Sequence, residues 1–158
     1  MIKKKGSVTT LAGTGAPGYV DGPSLSAQFY NSSDLCDDGN GNIYVADTAN
    51  FRIRLININI GIGSFVPVFI FFARLGGKKK SNLIQLTRIL SVATYAGNGS
   101  SGSLDGPVNK AMFIGPYSLV CYTSSLLYVF DVDFPNRTAT LRNIYKGIFY
   151  SPRHFLAG

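Results

Sequence analysis

Carboxylates are the reactive side chains this sequence has in number: eight acidic residues, all of them Asp, against a single histidine in 158 residues. Asp47 and Asp131 each close a strand-like run, Tyr44-Val45-Ala46-Asp47 and Tyr128-Val129-Phe130-Asp131. A carboxylate at such a strand end can accept backbone N–H bonds from the following turn, and Arg52 or Arg54 can pair with it. The same device in two similar runs points to structure rather than catalysis. Asn50, Arg52 and Asn136 lie within a few residues of these carboxylates and are read with them as one repeated structural motif. Asp38-x-Asn40-x-Asn42 has the first spacings of a calcium loop, but Ile43 stands where the loop needs Gly and Ala49 where it needs a bidentate Glu. It is read as a hairpin turn. His154 lacks the companions that a transition-metal site or a Ser-His-Asp arrangement requires. No catalytic, cofactor-binding or metal-binding residue is expected.

Two glycine runs, Gly13-Thr14-Gly15-x-x-Gly18 and Gly97-Asn98-Gly99-x-x-Gly102, fit G-x-G-x-x-G. A dinucleotide site needs the third Gly to open a helix. Here Asp21-Gly22-Pro23 and Asp105-Gly106-Pro107 follow, which read as loop, and the duplication favours a blade-to-blade turn in both places. Two cysteines make no disulfide framework. Cys36 aligns with Val120 and Cys121 with Asp37, and successive strand residues point to opposite faces. The thiols are therefore expected to face differently and to stay free. The sequons Asn31-Ser32-Ser33, Asn98-Gly99-Ser100 and Asn136-Arg137-Thr138 are expected to be unused, because no signal peptide is visible.

The elements behind these residues come from a duplication. Val8-Thr9-Thr10-Leu11-Ala12-Gly13 returns from Val92 as Val-Ala-Thr-Tyr-Ala-Gly, and the copies stay in step through the two Asp-Gly-Pro loops to Asp47 and Asp131. A fixed-offset repeat marks an array of supersecondary units. In the first copy, residues 8–13, 34–37, 43–46 and 52–58 read as strands. Asp38-Gly39-Asn40-Gly41 supplies the positive φ of a tight hairpin. Residues 14–23 read as a loop, and residues 24–30 as a connector that turns Ala27 and Phe29 inward. Each copy is thus a short antiparallel meander. The absence of Glu also argues against a helical protein.

The charge of +7 is unevenly placed. Lys3, Lys4, Lys5, Arg74, Lys78, Lys79, Lys80 and Arg88 lie outside the copies, and the seven remaining cations against eight carboxylates leave the copies at −1. A basic blade face of the kind RNA binding needs is not expected.

Gly41-Asn42-Ile43-Tyr44-Val45-Ala46-Asp47-Thr48-Ala49-Asn50-Phe51-Arg52-Ile53-Arg54 resembles an NHL repeat. Val8-Thr9-Thr10-Leu11-Ala12-Gly13, Asp21-Gly22-Pro23 and Ala27-x-Phe29 resemble the longer form of that repeat. The resemblance covers residues 8–59 and 92–142. It implies an all-β fold: β-propeller-type blades of four-stranded antiparallel sheets, here an incomplete ring, since propellers close with about 4–8 blades. The second copy departs from the pattern. Thr123-Ser124-Ser125 replaces the Gly-Asn turn, Asp131 and Asn136 stand two residues further apart than Asp47 and Asn50, and Thr138-Ala139-Thr140 replaces Arg-Ile-Arg. The last turns of that blade are accordingly left open. Phe155-Leu156-Ala157-Gly158 looks like the Leu-Ala-Gly that ends the first segment, as at a blade boundary.

The expected organisation is a basic leader at 1–7, a first repeat at 8–59, an atypical insertion at 60–91, and a second, degenerate repeat with a blade end at 92–158. Within the insertion, Phe65-Val66-Pro67-Val68-Phe69-Ile70-Phe71-Phe72 is about half the ~20 residues of a membrane span. Three readings of it stand: translated non-coding sequence inside a normal repeat, a loop or extra strand pair beside the blades, or an interfacial segment. Removing residues 61–91 restores the repeat spacing. The chain is expected to be a fragment or truncated product of a larger propeller, or else a protomer that self-associates through open blade faces. By resemblance its function is a non-enzymatic interaction scaffold whose loops meet protein partners, without cofactors. The alternative is an enzyme of the propeller lactonase or lyase type with its site at the channel mouth. Nucleic acid and membrane are not the expected partners, and the location expected by default is the cytoplasm.

Overall fold

Turn chemistry and alternation lay down the strands. The computed structural model describes residues 6–58, 90–123, 125–145 and 148–150, which lie within one compact unit. Asp34–Asp37 (β2) pairs antiparallel with Asn42–Asp47 (β3) across the Asp38–Gly41 hairpin, where Gly39 and Gly41 take φ of 73° and 83°. A single 3-10 turn, Thr48–Asn50, reverses the chain into Arg52–Asn57 (β4), which pairs with β3. Beyond the insertion, Ser91–Ala96 (β5) pairs antiparallel with β4. Gly22–Pro23 (β1) adds a two-residue edge on β5, so the first sheet runs β1-β5-β4-β3-β2. Pro116–Thr123 (β6), Leu126–Asp133 (β7), Thr138–Tyr145 (β8) and Ile148–Tyr150 (β9) form a second sheet in the order β6-β7-β8-β9. The protein is all-β, with two propeller-type antiparallel sheets that do not close into a barrel.

The sequence repeat and the blade are out of phase. β5 opens the second copy yet completes the first blade. Its counterpart, residues 8–13, forms no strand, contrary to expectation. The reason is physical: β5 is held by the edge of β4, and among the described residues no strand offers residues 8–13 such an edge.

The second blade is also more regular than its sequence suggests. β7 and β8 extend their hairpin to Asp133↔Thr138, around a turn in which the Arg137 N–H donates to the Phe134 carbonyl. Val129↔Arg142 then occupies the place of Val45↔Arg54. The apparent loss of the Arg-Ile-Arg strand is thus a longer hairpin, two residues added to each strand, which moves the matching arginine four positions along the sequence.

The main core lies between the two sheets. From blade 1 it takes Tyr44, Ala46, Ile53, Ala96 and the partly buried Leu55; from blade 2 it takes Ala111, Phe113, Leu119, Leu127, Val129 and Ile144. Polar bonds frame it. The Asp34 Oδ2 accepts from the Ser118 hydroxyl and the Leu119 N–H, both at 2.7 Å, and the Thr48 hydroxyl donates to the Pro116 carbonyl at 2.7 Å. Partial burial pushes the Asp34 carboxyl up, but these donors and the Leu35 N–H hold it below its ordinary value.

The cysteines correct the sequence reading. Cys36 and Cys121 are joined in a disulfide across this interface, their Cα atoms 5.7 Å apart. The inference that they occupy opposite faces of their blades was sound, and it is why they meet. Stacked sheets bring the back of one blade against the front of the next, so residues on opposite faces of successive blades become neighbours. The leader through Lys5, residues 59–89, His154 and the Phe155-Leu156-Ala157-Gly158 ending lie outside the described residues. Among those described, no helix is long and apolar enough to cross a membrane.

Candidate functional site

Each blade carries one buried arginine held between two aspartates. In blade 1, Arg54 projects from β4 and is wholly buried. Its Nη1 donates to Asp47 Oδ2 at 2.8 Å and to the Gln28 carbonyl at 2.9 Å; its Nη2 donates to Asp21 Oδ1 at 2.6 Å and to the Val20 carbonyl at 2.8 Å. In blade 2, Arg142 repeats the set. It donates to Asp131 Oδ2 at 3.1 Å, Asp105 Oδ1 at 2.8 Å, the Leu104 carbonyl at 2.8 Å and the Met112 carbonyl. A buried guanidinium is tolerable only when its charge is paired and its donors are used, and both conditions are met twice.

These arginines fasten loops to sheets. Asp47 belongs to β3, whereas Asp21, Val20 and Gln28 belong to the loop and connector that precede β2. Asp47 Oδ1 also accepts the Tyr30 N–H at 2.7 Å, and Asp131 Oδ1 accepts the Ile114 N–H at 3.0 Å. Backbone bonds complete the match. Gly13 N–H donates to Ser24 and Gly97 N–H to Val108, both at 2.8 Å; Gly18 N–H reaches Phe29 at 3.2 Å and Gly102 N–H reaches Phe113 at 3.0 Å. Each glycine run therefore folds back on the connector that follows it, and the second leaves β5 of blade 1 for the connector that leads into β6 of blade 2, the blade-to-blade turn that the duplication indicates. Gly97 takes φ of 98°, and a Cβ there would meet the Phe51 carbonyl at 2.5 Å, so this position admits no side chain.

The carboxylates are saturated with donors. Asp21 receives Arg54 on Oδ1 and, on Oδ2, the Thr94 N–H at 3.1 Å and the Thr94 hydroxyl at 3.0 Å. Burial raises its pKa, but the Arg54 and Thr94 bonds and the Arg54 charge outweigh that and hold it below the usual carboxylate value. The arrangement clamps backbone rather than presenting a proton to exchange.

The motif residues divide. Asp47, Asn50 and Asp131 sit in the clamps or against them: the Asn50 amide donates to Asp47 Oδ2 at 2.8 Å and to the Gly18 carbonyl at 2.9 Å. Arg52 is outside the clamp. Its guanidinium lies 3.8 Å over the Tyr19 ring and donates to the Asn98 carbonyl at 3.1 Å, linking the two glycine loops. Asn136 pairs with Asp133 at 2.7 Å rather than with Asp131, because the longer hairpin carries the turn away from the clamp. Asp38 caps its hairpin through the Asn40 and Asn42 N–H groups, and its burial is outweighed by these bonds and the Asn42 amide, which hold its pKa down. Sequence reasoning missed Asp21, Asp105 and Arg142. The first two were visible as identical residues of the duplicated Asp-Gly-Pro. Arg142 was hidden by the fixed-offset alignment.

These features define stacked antiparallel blades of propeller type whose loops are tied down by a repeated Asp–Arg–Asp clamp. Comparison with known proteins agrees with that class over part of the chain. It is 45% identical over 64 residues to Protein SUPPRESSOR OF QUENCHING 1, chloroplastic, of Arabidopsis thaliana, covering 38% of this chain and 6% of that protein. It is 37% identical over 67 residues to NHL repeat-containing protein 2 of Gallus gallus, and 37% identical over 68 residues to the protein of that name in Homo sapiens; these cover 41% and 42% of this chain and 9% of each relative. The chain thus spans less than a tenth of the length of these curated relatives. No family model matches it.

Proposed function

We propose that the chain is a non-enzymatic interaction scaffold of NHL-type propeller blades that presents its loops to a protein partner. The observation that carries this reading is the duplicated clamp. Each blade buries an arginine and two carboxylates to fix the loop that precedes its sheet, and fixed loops on a rigid scaffold are the usual place for recognition. Tyr19, Leu25, Tyr30 and Leu104 stand exposed on or beside those loops. Aromatic and aliphatic side chains held on rigid backbone make contact surface at low entropic cost.

The test is photocrosslinking capture from cells with the parent chain and with Tyr30→Ala/Leu25→Ala/Leu104→Ala. The expected result is one or more proteins captured by the parent and at least tenfold less by the loop variant, with the same thermal melt. Capture unchanged by the loop substitutions sinks the reading. So does turnover of a lactone by the parent that the loop substitutions leave unchanged.

A further inference from the structure

The covalent link between the blades joins the strands that end their sheets. β2 pairs only with β3 and β6 only with β7, and the two strands lie against each other where the blades meet. The sheets are separate, so side chains hold the seam between them. Near the start of both strands the Asp34 carboxylate accepts from Ser118 and Leu119, the Thr48 hydroxyl donates to the Pro116 carbonyl, and the Ser33 hydroxyl donates to the Tyr117 carbonyl at 2.6 Å. Further along, Cys36 and Cys121 cross the seam as a disulfide. Both are partly buried and pack against the margin of the main core. The pairing of β6 with β7 shifts register between Cys121 and Thr123, just past the bond. Irregularities of this kind end regular pairing at a sheet edge, and local opening begins at such places. The Arg54 and Arg142 clamps bond within their own blades and do not cross the seam.

We propose that Cys36–Cys121 is a redox latch: its reduction in the folded protein frees the far end of the seam, at the β2–β3 and β6–β7 hairpins, while both blades stay folded on their clamps. The co-reactant is a dithiol. One of its thiolates attacks a sulfur of the pair, forms a mixed disulfide and displaces the other cysteine as a thiolate. Its second thiol then displaces the remaining cysteine. Two electrons and two protons pass to the protein, which ends with two thiols, and the dithiol ends as its own disulfide. A small disulfide such as oxidised glutathione reverses the exchange. A partly buried cross-link admits an attacking thiolate that a fully buried one excludes. The core and the three polar contacts keep the two thiols close after reduction, so the bond can re-form. The residues offered to a partner are Leu25, Tyr30 and Leu104, so the two proposals fail separately.

The test treats the full chain in its disulfide form with dithiothreitol in native buffer, then alkylates the free thiols and counts them by mass. Both cysteines should be trapped roughly tenfold faster than the chain unfolds globally, because local opening is enough. Hydrogen exchange is then compared between the two forms. The segments around Cys36 and Cys121 should exchange roughly fivefold faster after reduction. The Tyr30 and Ile114 N–H groups, which the clamp carboxylates hold, should be unchanged. Oxidised glutathione should restore the first pattern, and Cys36→Ser/Cys121→Ser should show the reduced pattern with or without dithiothreitol. Reduction no faster than global unfolding overturns the proposal, since the bond is then a static staple. Reduction that leaves exchange unchanged also overturns it. So does loss of protection at Tyr30 and Ile114 along with the rest, which means that the blades melt rather than part at one end. A chain that oxidised glutathione cannot bring to the disulfide form is equally decisive against it.

Discussion

Blade 1 and blade 2 carry the same clamp in opposite surroundings. Arg54 and Arg142 make matching contacts, and both are buried. Ile53 and Leu141, each one residue before its arginine, are 0% and 57% exposed. The clamp looks inward to its own loop and is satisfied within a blade. The sheet faces look outward, and their burial depends on which neighbour is present. Stability in such an array is therefore a sum of terms inside each blade and terms between blades. The two kinds of term respond differently to substitution.

The largest effect is expected inside a blade. Arg54→Ala leaves Asp47 buried without its cation, a change that costs about 3–5 kcal/mol in comparable sites. Arg142→Ala should cost a similar amount despite the altered sequence around it. Urea melts check both. A loss under about 1 kcal/mol at Arg142 alone would mean that the longer hairpin has loosened the second clamp.

Between the blades, the covalent link comes next. The disulfide joins residues 85 apart in sequence. Cys36→Ser/Cys121→Ser should lower stability by about 2–4 kcal/mol, largely by releasing the unfolded chain. Protein purified without reductant should show no free thiol on titration in denaturant. Two titratable thiols would show that the blades associate without the bond.

Tyr44 and Tyr128 compare the two faces directly. Tyr44 is buried in the inter-blade core with its ring 4.8 Å from that of Tyr95. Tyr128 holds the same position on the outer, partly exposed face. Tyr44→Ala should cost about 3 kcal/mol and Tyr128→Ala about 1 kcal/mol in thermal melts of dilute protein. Equal losses would mean that the outer face is already covered in solution.

What was legible in the sequence follows the same division. Strands β2, β3 and β4 were readable because alternation and Asn-Gly and Asp-Gly turns are local signals. The inward turn of Ala27 and the pairing of Asp47 with Arg54 were readable, whereas the backbone N–H groups that Asp47 and Asp131 accept come from Tyr30 and Ile114 in the preceding connector and not, as the sequence suggested, from the following turn. Three features were not local. Residues 8–13 look like β5, but a strand needs a neighbouring edge, which no propensity encodes. Arg142 was obscured because two residues inserted in each arm of a hairpin break a fixed-offset alignment while preserving the pairing. Cys36 and Cys121 were assigned to opposite faces correctly, but stacking of successive blades decides that opposite faces meet.

A smaller effect is expected from Asp34, whose counterpart in blade 2 is Ser118. Its hydrogen bonds hold the folded pKa below 3.8, so the stability it contributes is present above that pH and is lost as pH falls through the folded value. The gap in denaturation midpoint between the parent and Asp34→Asn should therefore be open at pH 7 and narrow below about pH 4. A gap that does not narrow as the pH is lowered would show that the carboxylate charge is not what bridges the blades.

The smallest loss of stability is expected from the largest change in sequence. In blade 2, Tyr145 and Ile148 are paired across the β8–β9 hairpin, and only Lys146-Gly147 stand between them in the sequence. In blade 1 the equivalent pair is Asn57↔Ser91, with residues 58–90 between. The insertion thus leaves and rejoins the sheet at adjacent positions of one hairpin. Ile58 still donates to the Gly41 carbonyl at 2.7 Å, and the Leu90 carbonyl still accepts from Ser24 at 2.9 Å, so both residues stay tied to neighbouring segments of the blade. Replacing residues 59–89 with Lys-Gly keeps both bonds and shortens the connection between Ile58 and Leu90, and closure entropy varies only slowly with the length of such a connection. Loop closure alone favours the shortened chain by about 2 kcal/mol, so the blade should fold at least as stably as the parent, and its solubility should rise once the Phe/Ile/Val run is gone. Circular-dichroism melts and soluble yield measure the two outcomes. A shortened chain that melts several degrees lower or precipitates would make residues 59–89 part of the fold rather than an addition to it.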